Sequence, residues 1–158
     1  MARSSASRYR LVLLVAAVIS VVLGTNAMAL FGTNVIFSEV SGTVIKNGKP
    51  VEGAKVLQIT LWSKPGEVPE KAVLTDKNGQ FSFPEISRPA GFSNFLPGEI
   101  TIVQKINIEF DGKEYRGWLN TKTNYEREGE RNRPLRFICD LDRTPSNSGD
   151  DFGVCRLA

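Results

Sequence analysis

The chain contains no histidine, and this absence narrows its chemistry more than any other feature of its composition. Ser-His-Asp and Cys-His catalysis both need an imidazole base, so these classes of hydrolase are excluded. Zinc and iron sites lose their commonest ligand as well. Composition alone does not exclude a pair of carboxylates that hydrolyses glycosides, but the sequence places no such pair in a defined cleft. We therefore predict a protein that is not an enzyme and binds no metal or other cofactor.

Acidic residues are absent from the first 30 positions. A basic start of this segment precedes an apolar run from Leu11 to Leu23, and Ala27-Met28-Ala29 then provides a small-x-small cleavage site. This order is typical of an export signal, so we predict a signal peptide over 1–29 and a mature chain over 30–158. The expected location is periplasmic or secreted. The alternative is a retained membrane anchor, because the mainly apolar stretch continues to Phe31.

Net charge is also lacking once the predicted signal peptide is set aside. The whole chain has 20 Lys and Arg residues against 17 Asp and Glu residues. Arg3, Arg8 and Arg10 belong to the predicted signal, which leaves equal numbers of basic and acidic side chains in the mature part. The alkaline isoelectric point therefore gives no support for nucleic-acid binding. A membrane contact is expected only if the N-terminal segment is retained.

Cysteine is scarce, with Cys139 and Cys155 as the only two in the sequence. Because both lie in the predicted exported part, we expect one disulfide between them. It would close a loop of about 15 residues and stabilise the fold by about 3 kcal/mol in the chain-entropy model. That loop is rich in Pro, Ser, Asn and Gly, so the bond would hold a tail that otherwise frays.

Two tight turns are the most informative features that the sequence does contain. Asn47-Gly48 and Asp76-Lys77-Asn78-Gly79 supply the positive-φ positions of hairpins, and β-branched or aromatic residues flank both turns. Asp76 to Gly79 also matches the start of a calcium loop, but the later oxygen ligands are missing, which favours the turn. Another acidic cluster that we consider solvated comprises Asp140, Asp142, Asp150 and Asp151.

With its flanking strands, this pattern over 40–84 resembles the carboxypeptidase regulatory-like, or transthyretin-like, β-sandwich. The resemblance lies in Gly42-x-Val44, Pro50-x-x-Gly53-Ala54 and Thr75-Asp76-x-x-Gly79-x-Phe81. It implies one immunoglobulin-like domain that serves as a structural or binding module. A related family hydrolyses 5-hydroxyisourate with histidines and a C-terminal Tyr-Arg-Gly-Ser. Here Tyr115-Arg116-Gly117 lies in mid-chain before a tryptophan, so that activity does not carry over.

Strand patterns along the mature chain predict an all-β sandwich of about seven strands. We expect a first strand from Val35 to Ile45, with a bend near Ser41-Gly42, and a second over 54–62, in which Leu57, Ile59 and Leu61 share one face. A bulge is expected where Val56 meets Leu57, since both are apolar. A long connection is predicted over 84–99 and a solvated charged segment over 126–133. The alternation of Leu135, Phe137, Cys139 and Leu141 indicates a half-buried strand.

The predicted loop over 84–99 is the candidate for recognition of a partner, which we expect to be another protein. It presents Phe92, Phe95 and Leu96 together with Arg88, and aromatic side chains on a surface loop are typical binding anchors. The alternative is that these side chains cap one end of the sandwich. Trp62 and Trp118 suggest carbohydrate stacking or, as the simpler interpretation, packing.

The resulting functional hypothesis is a non-enzymatic exported protein-binding module, with a toxin-neutralising immunity protein as its concrete version. The alternatives are a carbohydrate-binding or envelope-structural module and a membrane-anchored accessory subunit. The sequence leaves the partner and the oligomeric state undetermined.

Overall fold

A computed structural model describes residues 32–63, 68–90, 99–147 and 153–158. These ranges form eleven β-strands and contain no helix, which confirms the all-β prediction with a higher strand count than expected. None of the described residues belongs to a helix that could span a membrane. The strands are β1 Thr33–Phe37, β2 Val40–Lys46, β3 Lys49–Pro50, β4 Lys55–Trp62, β5 Lys71–Leu74, β6 Gln80–Phe83, β7 Ile86–Pro89, β8 Ile102–Phe110, β9 Lys113–Lys122, β10 Leu135–Asp140 and β11 Cys155–Leu157.

The chain divides into two compact units. One comprises Thr33–Arg88 and Leu96–Ala158, and the other comprises Met1–Gly32 and Pro89–Phe95. In the second unit the described residues include Ala90, whose N–H donates to the carbonyl of Gly32 at 3.1 Å. The predicted signal peptide over 1–29 lies outside the described residues.

Two larger sheets pack in a sandwich-like arrangement. The mixed sheet has the order β11-β10-β2-β3, with β6 also paired to β2, and the antiparallel sheet has the order β5-β4-β8-β9. In the mixed sheet β10 runs parallel to β2, in a register that places Leu135 beside Val40. A two-stranded sheet of β1 and β7 completes the architecture.

Aromatic and aliphatic side chains fill the space between the sheets. Trp118 is fully buried, and its ring centroid lies 6.1 Å from that of Phe37 and 5.2 Å from that of Phe137. The predicted alternation in β10 is confirmed, because Leu135, Phe137 and Cys139 point into this core and the residues between them do not. The same holds for β8, where the inward positions are Ile102, Gln104, Ile106 and Ile108.

The Asn-Gly turn has the backbone geometry that its sequence predicts. Asn47 and Gly48 have φ values of 51° and 69°, as a tight hairpin between β2 and β3 requires. Asp111 and Gly112 repeat this geometry between β8 and β9, with φ values of 53° and 69°. Gly79 has a φ of 72° in the second predicted turn.

Three local predictions were wrong. The first strand was expected to bend near Ser41-Gly42, but it divides at Ser38–Glu39, because Ser38 turns its N–H and hydroxyl toward a distant carboxylate. The long connection over 84–99 contains a strand, Ile86–Pro89. The register of β4 is unbroken at Val56, and the irregularity lies instead between Ile106 and Asn107 of β8.

The predicted disulfide between Cys139 and Cys155 is confirmed. The two residues are direct partners in the antiparallel pairing of β10 with β11. Gly117 lies at the irregularity of β9, where an added Cβ would come within 3.0 Å of the Cys155 sulfur and 2.6 Å of the Ile106 carbonyl oxygen. A glycine is therefore required for the close approach of β9 to the disulfide.

Candidate interaction surface

The outer side of the antiparallel sheet carries a row of apolar side chains. In β4 the inward positions are Val56, Gln58 and Thr60, so the alternate residues point outward. Register places the partners of these residues on the same side, among them the polar Lys105 and Asn107, and we call the apolar members of this set the apolar face. It comprises Leu57, Ile59, Leu61, Ala72, Leu74, Val103 and Leu119, of which Leu57 is only 5 % exposed.

Two leucines make the apolar face unusual. Leu61 is 55 % exposed and Leu74 is 67 % exposed, and these are the large hydrophobic residues exposed in the described part of the chain. Leu74 pairs with Lys55, six residues before Leu61 on β4, so the two leucines lie toward opposite ends of one face. Antiparallel sheets normally turn polar side chains toward water, and a patch of this kind is typical of an interaction site.

Charged and polar side chains lie around the apolar face. Lys55 forms an ion pair with Glu109 at 3.1 Å, with both side chains about half exposed. Asn107 donates to the Glu114 carboxylate at 2.9 Å. Surface pairs of this kind contribute little stability, but they provide the polar rim that surrounds the apolar centre of protein interfaces.

Of the predicted partner-binding residues, Arg88 is in the described part of the chain, on a different sheet from the apolar face. Phe92, Phe95 and Leu96 lie outside the described residues. Arg88 is half-buried on β7, in the two-stranded sheet, where its Nη1 donates to the carbonyl of Ser87 at 3.1 Å. The described part of the predicted loop thus contributes a strand residue whose guanidinium bonds its own neighbour.

The two tryptophans differ in their accessibility. Trp118 is part of the core and has no exposed face for stacking on a sugar, which agrees with the packing interpretation. Trp62 is half-buried, and its ring meets that of Tyr125 edge-on at 6.3 Å.

The charged segment over 126–133 was predicted to be solvated, and for Glu130 this is wrong. Its side chain is fully buried in an ion pair with Lys122 at 3.1 Å, and the Lys122 side chain is equally buried. The local charge pattern does not predict this burial, because Ser38 and Gln104, which also bond Glu130, come from distant parts of the chain. The buried polar network is the set of Ser38, Gln104, Asn120, Lys122 and Glu130.

Every member of the buried polar network contributes a hydrogen bond. The Ser38 hydroxyl donates to Glu130 at 2.7 Å, and Gln104 Nε2 donates to the same carboxylate at 2.8 Å. Asn120 Nδ2 donates to Gln104 Oε1 at 2.8 Å, and Lys122 Nζ also donates to the Glu126 carbonyl at 2.6 Å. Burial alone would raise the pKa of Glu130, but the hydrogen bonds from Ser38 and Gln104 and the charge of Lys122 together lower it.

A second set of buried polar side chains lies on the core-facing side of β4, in the antiparallel sheet. Gln58 is completely buried, and neither its amide nitrogen nor its amide oxygen has a hydrogen-bond partner among the described residues. The Thr60 hydroxyl is in the same situation, at 6 % exposure. We call Gln58 and Thr60 the β4 polar strip. Because Gln58 and Thr60 point inward, Leu57, Ile59 and Leu61 lie on the opposite side of β4.

Two cavities lie on other surfaces. A cavity of about 450 Å³ is bordered by Glu85 and Arg127, which form a two-point ion pair at 2.7 and 3.2 Å, and the hydrogen bond to Glu85 raises the pKa of Arg127. A groove of about 710 Å³ runs along β5 and β6 beside the outer side of the mixed sheet. Val73 and Leu74 form one of its walls.

The acidic residues considered for calcium form turns where they are described. Asp76 Oδ1 accepts the N–H groups of Asn78 and Gln80 at 2.8 Å each. Asp140 accepts the N–H of Asp142, while Asp150 and Asp151 lie outside the described residues. Within the described ranges, no three metal-ligating side chains lie together.

Comparison with protein families identifies the chain. The sequence profile of the family described as domain of unknown function (DUF6795) matches residues 40–144, and the chain belongs to this family. The match includes β2 to β10, and therefore the whole apolar face. The comparison with curated proteins finds no match.

Proposed function

We propose that this DUF6795 protein is a non-enzymatic, exported protein that recognises another protein through the apolar face. The observation that carries the proposal is the exposure of Leu61 and Leu74 on one side of one sheet. Covering both side chains with a partner would remove apolar area from water at a favourable free energy of about 25 cal/mol per Å².

The rest of the surface supports the same role. Along β4 the face is apolar, and charged side chains lie beside it, with Lys105 placed between Ile59 and Leu119 and the Lys55–Glu109 pair next to Leu74, so the face combines apolar and charged groups as protein interfaces do. A rigid β-sheet would hold the leucines in place, so little conformational entropy is lost on binding. The finer assignment to the transthyretin-like sandwich is part of this proposal, and the positive φ angles of Asn47 and Gly79 support it.

Export is supported by the basic, apolar and small-residue order of segment 1–29. The lack of histidine supports a binding role. The concrete version of the proposal is a periplasmic protein that neutralises a toxin by binding it. No specific observation favours the carbohydrate alternative, since Trp118 is buried.

The test compares Leu61→Asp and Leu74→Asp with Thr144→Asp, an exposed loop residue outside the face. A partner is captured from the native cell envelope, identified by mass spectrometry and purified, and its Kd for each variant is measured. Each leucine variant should weaken binding by about tenfold or more, which corresponds to about 1.4 kcal/mol, while Thr144→Asp binds normally. Thermal unfolding should be similar in all three, because the replaced side chains are exposed.

A different result would relocate the site. If both leucine variants bind normally while Phe92→Ala and Phe95→Ala do not, recognition belongs to the loop over 84–99 and the proposal for the apolar face is wrong.

A further inference from the structure

The outer edge of β5 has backbone groups that no neighbouring strand in the described part of the chain satisfies. β5 is the first strand in the order β5-β4-β8-β9. The Thr75 N–H donates to the Ala54 carbonyl at 2.9 Å, so residues 75 and 73 direct their peptide groups toward β4. Because these directions alternate in an antiparallel pair, the N–H and C=O groups of Ala72 and Leu74 point away from the sheet.

Two other strand edges in the described part of the chain are blocked. The edge of β9 is covered by residues 153–155, where the Val154 N–H donates to the Arg116 carbonyl at 2.9 Å. β3 has two residues and ends with Pro50, which has no N–H to donate. β5 has no proline, and its one lysine lies at its start. It therefore lacks most of the devices that prevent edge pairing.

Open space lies beside this edge. The groove of about 710 Å³ has Val73 and Leu74 of β5 and Gln80 and Ser82 of β6 in its lining. Leu74, the more exposed of the two leucines of the apolar face, lies at this edge. A strand added here would extend the apolar face by one row.

We propose that an extended segment of the protein partner pairs with the free edge of β5 as an additional strand. This deepens the proposed function, on which it rests. The segment would exchange hydrogen bonds with Ala72 and Leu74 and would carry apolar side chains at alternate positions, one of them against Leu74. Charge complementarity sets its ends: an acidic residue lies near Lys71 and a basic residue lies near Asp76.

A phage-displayed library of random dodecapeptides, selected on the whole protein, tests this proposal. Enriched peptides should alternate apolar residues between an acidic and a basic end. Ala72→Pro removes an N–H that does not bond β4, and it should weaken peptide binding by about tenfold or more. Ala72→Ser keeps the N–H and is the matched control, which should bind normally.

Amide hydrogen exchange of the wild-type protein provides a second measurement that does not depend on how Ala72→Pro folds. The Ala72 and Leu74 amides should exchange fast in the free protein and slowly with a selected peptide bound. Failure to enrich any peptide, unchanged exchange on binding, or normal binding by a folded Ala72→Pro variant would overturn strand addition. If these amides exchange slowly in the absence of peptide, and more slowly at higher protein concentration, a second copy of the chain occupies the edge. That result would also overturn strand addition by a partner.

The two proposals fail separately. If Leu61→Asp and Leu74→Asp weaken partner binding while Ala72→Pro does not, the apolar face stands and strand addition is wrong. If peptides bind the edge but the leucine variants still hold the partner, the apolar face is wrong.

Discussion

The buried polar network and the β4 polar strip both contain buried side chains on the core-facing side of the antiparallel sheet, but they differ in their hydrogen bonds. Gln104 and Gln58 are both glutamines with no exposed surface, on neighbouring strands. Gln104 donates to Glu130 and to the Ile36 carbonyl at 2.8 and 2.9 Å, whereas the Gln58 amide has no partner among the described residues. Burial of a polar group stabilises a fold only when its hydrogen bonds are made, so these glutamines should have opposite energetic effects.

The difference also indicates what each set does. The network ties the segment after β9 to the strand break at Ser38, through a carboxylate that receives several donors. The side chains of the β4 polar strip make no hydrogen bond to another described residue. Their inward position places Leu57, Ile59 and Leu61 on the opposite side of β4. The first set is therefore structural, and the second is the counterpart of the proposed binding face.

The largest effect is expected from breaking the network at Lys122. Lys122→Met leaves the Glu130 carboxylate buried without its cation, and we expect a loss of about 3–5 kcal/mol of unfolding free energy in urea titrations. The double variant Lys122→Met/Glu130→Leu removes both charges and should recover much of this loss. A single variant as stable as the double variant would show that the ion pair is not the source of the stability.

Removing the disulfide allows its contribution to stability to be compared with that of the Lys122–Glu130 ion pair. The Cys139→Ala/Cys155→Ala variant opens a loop of sequence separation 16 and should lose about 3 kcal/mol. Urea unfolding of the variant and of the reduced wild type should agree. A loss in the variant alone would indicate a packing defect beside Trp118 instead.

Replacement of the two glutamines by methionine tests the comparison directly. Gln58→Met removes a buried amide without partners and should raise stability by about 1–3 kcal/mol. The matched Gln104→Met variant removes three hydrogen bonds and should lower it. A loss of stability in Gln58→Met would mean that its amide is hydrogen-bonded in solution.

The smallest effect concerns pH. The pKa of Glu130 is lower in the folded chain than in the unfolded chain, where it is about 4.3. The contribution of ionised Glu130 to the free energy of unfolding is therefore complete above this unfolded pKa, and it is lost as pH falls through the lower folded pKa. The stability difference between wild type and Glu130→Gln should shrink over that acidic range. A difference that grows with acid would contradict the direction of the shift.

Local patterns predicted the fold where both partners of a feature are close in sequence. The Asn47-Gly48 turn and the alternation from Leu135 to Leu141 needed no distant information. In β4 the pattern separated two faces correctly, but it did not indicate that Gln58 points inward. That choice depends on β8, and the burial of Glu130 likewise depends on the distant residues Ser38 and Gln104. The candidate face was missed because the exposed leucines look like core residues in sequence.

The parallel pairing of β10 with β2 has a consequence for how the chain reaches its final form. Val40 must wait for Leu135, nearly a hundred residues later, before the mixed sheet can close. The mixed sheet can therefore close only when nearly the whole chain is available, and a pairing of such high sequence separation slows folding.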